Sequence, residues 1–448
     1  MKLIQINTVC NESTGKIMLG IQRYANEMGW DTLSIYGRRS APSDVRTVKK
    51  GNIIEILLHA VLTTITDLHG LGSVIDTRQM IDILRYEQPD IIHLHNLHGY
   101  YLNYPILFRY LANEFRGKIV WTLHDCWPFT GHCAYYTLYG CTKWQEGCDQ
   151  CPAQHKYPWS FGLDCSSYNY RLKKKCFTNV KNLTIVVPSQ WLKRQVERSF
   201  LKDYPVRVIP NGIDLYLFQR NLQTKNIRDK YGIPSQAFVI LCVASHWDEG
   251  KGWPVLRNIS EHLSGNMYLV VVGAGMPYLK FNRVIQIKRT EDISELVQLY
   301  SMADVFLNPS LQETFSMVTL EALACGLPVI GTDSSAVAEL VTQGCGCILH
   351  NPDVNDYLET IRKIQEQIKN EDFCRSIPRM RAEQFSEQLQ YERILSIYSE
   401  GGDLHNGRND TGEWSERLPV PYLHSGKMSF KLDIRRGTGK AGSLGIRK

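Results

Sequence analysis

Residues 310–333, SLQETFSMVTLEALACGLPVIGTD, decide the fold. The middle reads as a helix that begins near Phe315 or Ser316 and stops at Gly326, with Pro328 just behind, the usual order of helix terminators. Met317, Val318, Leu320, Ala322, Leu323 and Ala324 make it apolar nearly all round, so it is expected inside the protein, followed by a buried strand in LPVIGTD. Two glutamates, Glu313 and Glu321, interrupt this segment in an E-x7-E spacing. A carboxylate at Glu321 is costly to bury unless something hydrogen-bonds it.

Outward from this stretch, apolar strand-like runs alternate with amphipathic helical stretches over the first 350 residues, the pattern of βαβ units and parallel sheets. LIQINTV, DTLSIYG, IIHLHN, KIVWTLHD and LTIVVPS form one series. VRVIPNG, FVILCVAS, YLVVVGAG, RVIQIK, DVFLNPS and LPVIGTD form a second. The expected architecture is α/β, with two doubly wound Rossmann-like domains: 1–205, with a Cys-rich insertion at 126–165, and 206–380. A C-terminal helix over 381–400 and a polar, glycine-rich tail over 401–448, expected to be disordered, complete the chain. Residues 52–66, NIIEILLHAVLTTIT, carry an apolar stripe that either packs on the sheet or lies in a membrane interface.

In doubly wound sheets ligands collect at the carboxyl ends of strands, where DVFLNPS delivers Glu313, Phe315, Ser316 and Met317. The new helix presents free N–H groups and a positive dipole end suited to phosphate oxygens. Glu313 in the loop and Glu321 two turns along stand roughly 12 Å apart at 1.5 Å per residue, the scale of a nucleotide diphosphate sugar. A polyhydroxyl ligand would satisfy both carboxylates.

With NPS before it and GLPVIGTD behind, the motif resembles the donor-site signature of the retaining GT-B glycosyltransferases of family four. PNGID at 210–214, VVVGAG at 270–275 and EDISELVQLYSMADVFLNPS at 291–310 extend the resemblance over most of 1–400. It implies two domains facing a cleft, a UDP- or GDP-sugar donor, and transfer with retention to a saccharide acceptor. It assigns Glu321 to the ribose, Glu313 to the donor sugar, and Lys251 in WDEGKGW to the diphosphate. Ser245 stands where the family has an arginine, with His246 as its partial replacement, and Ser316 stands where the family has a glycine. His124 in WTLHDCW is placed at the donor sugar, and Gly15 in NESTGKI at the diphosphate and acceptor. No D-x-D lies near either sheet, so a catalytic metal or other cofactor is not expected to be required.

Cys133, Cys141, Cys148 and Cys151 follow a C-x7-C-x6-C-x2-C pattern, compatible with a structural zinc site or with unmetallated thiols. His93, His95 and His98 in IIHLHNLHGYY also have ligand-like chemistry; strand-end packing or acceptor contacts are the expected roles. The net charge of +6 is concentrated in the tail: nine Lys or Arg against five Asp or Glu from Gly401 onward leave 42 basic and 40 acidic residues before it. Nucleic-acid binding by a broadly basic surface is therefore not expected. Arg171, Lys173, Lys174 and Lys175, with Lys193, Arg194 and Arg198, form a local basic cluster that would meet anionic lipid or a diphosphate, or else be solvated.

The opening MKLIQINTV reads as a strand and no run is long enough to span a membrane, so the expected location is cytoplasmic, with peripheral contact at the inner face. HDCWPFTGHC and HLHNLHGYY resemble enzymes of exopolysaccharide, capsule or lipopolysaccharide assembly, including the colanic-acid type, which implies a polyprenyl-diphosphate-linked acceptor. The alternatives are a nucleotide-sugar epimerase or hydrolase of the same fold, and a non-catalytic saccharide-binding subunit.

Overall fold

The computed structural model describes residues 1–11 and 13–400; the tail expected at 401–448 lies outside the described residues. The first sheet contains β1 (Lys2–Val9), β2 (Asp31–Arg38), β3 (Thr47–Lys49), β4 (Ile91–Leu94), β5 (Lys118–Thr122), β6 (Leu183–Val187) and β7 (Val206–Val208), in the order β3-β2-β1-β4-β5-β6-β7. The second contains β8 (Phe238–His246), β9 (Met267–Ala274), β10 (Val284–Ile287), β11 (Val305–Leu307), β12 (Val329–Thr332) and β13 (Gly346–Leu349), in the order β10-β9-β8-β11-β12-β13. Every pairing in both is parallel.

The helices of the first half are α1 (Ser13–Glu27), α2 (Ile53–Thr66), α3 (Val74–Glu87), α4 (Tyr104–Asn113), α5 (Ser166–Phe177) and α6 (Gln190–Glu197). Those of the second are α7 (Lys225–Lys230), α8 (Trp253–Glu261), α9 (Ile293–Met302), α10 (Met317–Ala324), α11 (Val337–Leu340), α12 (Val354–Lys369), α13 (Ser376–Glu383) and α14 (Glu387–Ser399). None is long and apolar enough to cross a membrane.

Helices cover both faces of each sheet, so the central strands read as continuous apolar runs: Val239, Ile240, Leu241 and Cys242 of β8 are fully buried. Gln5 sits in the equally buried β1 because its amide donates to the Met18 carbonyl at 2.8 Å.

The structure corrects several expectations. VRVIPNG opens no second sheet: Val206 and Val208 of β7 pair with Ile185 and Val187 of β6, so the first sheet extends past residue 205. The single C-terminal helix is two, and α14 returns to the first domain, where Ile394, Leu395, Ile397 and Tyr398 pack on Leu3, Ile17, Ile21 and Val186. Lys118 fixes the end of α14 by donating to the Ile397 carbonyl at 2.6 Å. The stripe of α2 does not pack on the sheet: Ile53, Ile54, Leu57, Leu58, Val61 and Ile65 are all exposed.

Lys173 leaves the expected basic surface entirely. Its side chain is buried, its ammonium donates to the carbonyls of Trp127 at 2.8 Å and Thr130 at 3.0 Å, and it lies 3.6 Å from the Trp127 ring centroid. Burial pulls its pKa down to about 7, a cost that these partners offset. Arg171, Lys174 and Lys175 on the same helix stay exposed.

Gly212 lies where the chain crosses beneath α14. Its N–H donates to Gln390 Oε1 at 2.9 Å, and a Cβ there would stand 2.4 Å from the Glu387 backbone. Gly212→Val is therefore expected to lower stability by about 1–3 kcal/mol through forced displacement of α14. Urea denaturation monitored by far-UV circular dichroism measures it, and an unchanged midpoint would contradict the packing.

Candidate functional site

The site is built from the loop that follows β11. Asn308 organises it: its amide donates to Ser316 Oγ at 3.0 Å and Thr319 Oγ1 at 2.9 Å, and its carbonyl oxygen accepts from the Ser310 N–H at 3.2 Å. These bonds fold the segment back so that α10 begins beside the strand it left. Ser316, at the expected helix start, is instead the N-cap, with φ 82°, ψ 83°. A serine in this left-handed region carries strain of about 1 kcal/mol that glycine would not, and its hydroxyl is compensated by Asn308 and by donation to Thr319 at 3.0 Å. The first N–H groups of α10 have no acceptor within the helix.

The loop after β8 meets this one. Leu311 N–H donates to the Gly250 carbonyl at 2.8 Å, and a Cβ on Gly252, which has φ 82°, would collide with Pro309. That close approach brings Lys251 Nζ to 2.7 Å from Glu313 Oε1 and 3.3 Å from the Gln312 carbonyl. Ser245 and His246 occupy the exposed end of β8, and the His246 ring fills the space over Gly275. Phe315 is buried against Phe385, so its role at the site is to anchor the loop.

Across the seam, the first domain supplies His124 at the end of β5. Thr314 Oγ1 donates to the His124 carbonyl at 2.8 Å, which places Glu313 of one domain beside His124 of the other. The His124 Nε2 lies 3.2 Å from His95 Nδ1, and His95 Nε2 lies 3.2 Å from Gln5 Oε1. Burial pulls the His124 pKa down to about 4 and that of His95 well below the usual value, so both rings are neutral near pH 7. A neutral imidazole either accepts a hydrogen bond from a sugar hydroxyl or donates one to its oxygen. His93 is structural, bonded to Thr122 and to Tyr398 of α14.

His98 pairs with Asp125 at 2.7 Å and with the Tyr157 hydroxyl at 2.8 Å, and Asp125 also accepts the Trp127 N–H at 2.9 Å. Asp125 is held below the usual carboxylate range: burial raises its pKa, and His98 together with the Trp127 N–H outweighs that effect.

Glu321 lies on α10, where Tyr300 donates to its Oε2 at 2.8 Å. Burial raises its pKa to about 7, against the opposing effects of Tyr300 and the Lys16 charge. Near neutrality the carboxylate is thus divided between its two forms and gains most from further hydroxyl donors. Gly15 is buried because a Cβ there would meet the Cys10 backbone at 2.4 Å, so its smallness allows the tight β1–α1 turn. The adjacent Lys16 lines a cavity of about 1450 Å³ between α1 and α14. None of Glu313, Lys251 and His124 lines that cavity, so the motif residues lie outside it.

Sequence reasoning named His98 but missed Lys16, Thr314 and the pairing of His98 with Asp125 in this region. Lys16 directly follows Gly15 in STGKI, a signal open to reading; the contact of Thr314 with His124 joins residues 190 positions apart.

The four candidate zinc ligands lie in the cysteine insertion. Cys133 and Cys151 hold each other's thiols, Cys148 accepts the Gly131 N–H at 3.1 Å, and Cys141 is partly buried against the aromatic core. Among the described residues no group of three or more His, Cys, Asp or Glu side chains is placed to hold a metal ion. The insertion is secured by Lys173 and by Asp67, which pairs with His132 and accepts the Cys165 N–H at 3.0 Å.

Comparison with known proteins fits this geometry. A family model described as Glycosyltransferase Family 4 matches residues 21–217, and one described as Glycosyl transferases group 1 matches residues 237–367. The putative colanic acid biosynthesis glycosyl transferase WcaC of Escherichia coli K12 is 26% identical over 70% of this chain and 78% of its own length. Sucrose-phosphate synthase of Thermosynechococcus elongatus superposes with a TM-score of 0.67 at 17% identity, over 89% of this chain and 98% of that one. Anabaena HepE in complex with UDP and glucose superposes with a TM-score of 0.63 at 15% identity, over 89% and 99%. With its two parallel sheets and the E-x7-E segment at the seam between them, the chain has the GT-B fold and carries glycosyltransferase domains, the first matching family four and the second group 1.

Proposed function

We propose that this glycosyltransferase moves a hexose from a UDP- or GDP-sugar, with retention at the anomeric carbon, to a saccharide carried on a polyprenyl diphosphate during assembly of a bacterial surface polysaccharide. The observation that carries the reading is the 2.7 Å contact of Lys251 with Glu313, tied through Thr314 to His124. A cation and an anion held together between two domains are suited to separate onto a ligand carrying both phosphate and hydroxyl groups. The similarity to WcaC and to HepE, the latter bound to UDP and glucose, supports the donor and pathway class.

In this reading Glu321 accepts the ribose diol, the α10 N-terminus and Lys251 hold the diphosphate, and Glu313 and neutral His124 hold the sugar. Charge grows on the diphosphate as the glycosidic bond breaks, and Lys251 stabilises it as it departs. The His98–Asp125 pair stands next to His124 on the acceptor side. Retention, a leaving group balanced without a metal, and the lipid-linked acceptor are parts of the proposal.

Nucleotide release measured over a panel of UDP- and GDP-sugars, with and without a lipid-diphosphate saccharide, tests it. Release that requires both substrates is expected; donor consumption at full rate without acceptor would indicate an epimerase or hydrolase instead. Lys251→Ala should lower kcat by about 100- to 1,000-fold, the usual cost of removing one preorganised group that stabilises transition-state charge. Wild-type turnover in that variant would remove Lys251 from the site.

The ribose assignment has a pH signature. Hydroxyl donors favour the ionised carboxylate, so nucleotide binding expels the proton from Glu321 and affinity rises as pH approaches about 7 from below, then levels off. Titration calorimetry with the free nucleotide should show this slope in the wild type and lose it in Glu321→Gln, together with weaker binding at pH 8. A slope unchanged in the variant would place the titration elsewhere.

A further inference from the structure

Helix α2 is inverted. Its outward positions are Ile53, Ile54, Leu57, Leu58, Val61 and Ile65, each more than half exposed, whereas its buried face carries Ile56, His59 and Thr63. The inversion is fixed by hydrogen bonds. The Gly70 N–H donates to His59 Nε2 at 2.9 Å, so His59 Nδ1 carries the proton and donates to Ser73 Oγ at 3.0 Å, and Ser73 donates onward to the Tyr100 carbonyl at 2.8 Å. Turning the helix over would break this network, so the aliphatic side chains are held facing outward.

A second element extends the same surface. The 159–163 loop runs beside the end of α2, with Phe161 N–H donating to the Thr64 carbonyl at 2.9 Å and Leu163 N–H to the Ile65 carbonyl at 3.0 Å. A Cβ on Gly162 would lie 2.0 Å from the Ile65 carbonyl oxygen, so the loop is pressed directly on the helix. It contributes exposed Trp159, Phe161 and Leu163.

The flanking charge is basic. Exposed Lys49 precedes α2, and α5, tied to the end of α2 by Asn169 donating to the Asp67 carbonyl at 2.6 Å, exposes Arg171, Lys174 and Lys175 with no acidic residue in the helix. The nearby carboxylates are committed internally: Glu55 caps α3 through the N–H groups of Ile75 and Asp76, and Asp164 accepts those of Cys151 and Ser166.

We propose that the outer face of α2 and the 159–163 loop form a membrane-docking surface that seats in the interfacial layer of an anionic phospholipid bilayer, with the flanking lysines and arginines on headgroup phosphates. Aliphatic and aromatic groups bordered by cations match that layer. A second copy of this chain is the poorer occupant, because an isologous pairing of this surface would set its exposed Arg171, Lys174 and Lys175 border against the same border of the other copy. The inference stands independently of the donor-site reading.

Co-sedimentation of the full chain with phosphatidylcholine vesicles, with and without phosphatidylglycerol, tests it. Binding to the phosphatidylglycerol vesicles is expected, and Leu57→Asn/Leu58→Asn/Val61→Asn should reduce partitioning by about tenfold or more at an unchanged thermal unfolding midpoint. Lys174→Glu/Lys175→Glu should abolish the preference for phosphatidylglycerol while leaving weak binding to both vesicles. Absence of wild-type binding to phosphatidylglycerol vesicles, or undiminished binding by the aliphatic triple variant, would overturn the proposal. So would a dimer in sedimentation velocity that the triple variant dissociates, which would assign the ridge to a second copy.

Discussion

The hydroxyl of Thr314 donating to the carbonyl of His124 joins the ends of two strands from different sheets, and the site follows from that contact. For Thr314 to reach β5, the chain must leave β11 and turn back at once, which the Asn308 side chain enforces through three hydrogen bonds. The same turn forces Ser316 into the left-handed region and seats Gly250 and Gly252 against the loop, carrying Lys251 to Glu313. Glu339 strengthens the seam: its carboxylate caps α6 by accepting the N–H groups of Gln190 and Trp191 from the other domain. Conversely, α14 leaves the second domain to finish the core of the first. The seam is therefore held at its polar mouth and on the far side of the first sheet.

Burial sets the ionisation of the groups at this seam. His124 is neutral because removing water penalises its cation, and the same physics pushes Glu321 upward to about 7. In the proposed reading a neutral imidazole and a carboxylate divided between its two forms suit an uncharged polyhydroxyl ligand, whereas the contact of partly exposed Lys251 with Glu313 brings a cation to the seam. Lys173 obeys the same rule in a structural role, since two carbonyls and the Trp127 ring are what make an ammonium tolerable inside the insertion.

Much of this was legible in the sequence because it is local. Strand–loop–helix order, the E-x7-E spacing and the lysine after β8 are properties of short windows, and a buried carboxylate inside an apolar helix announces a partner. Long-range pairing is invisible to such reasoning. VRVIPNG has the same composition whether it opens a new sheet or closes the old one, and only its register with Ile185 and Val187 distinguishes them. Lys173 sits among other basic residues, yet the helix turns that one position toward Trp127. Four cysteines at suggestive spacing converge only if the loop between them brings their sulfurs together, which spacing alone does not fix.

Helix α2 shows a further limit. An apolar stripe in a sequence has a direction relative to the helix axis, but its direction relative to the molecule is set by the partners of the opposite face. Ordinarily the two agree, because the core is the largest apolar medium available. In α2 the buried histidine and threonine find partners in Ser73, the Gly70 N–H and the helix's own carbonyls, so the polar face is satisfied inside and the aliphatic face is left outside. The fold thus spends an internal hydrogen-bond network to hold apolar groups at the surface. Such an arrangement is stabilising only where those groups meet a medium less polar than water.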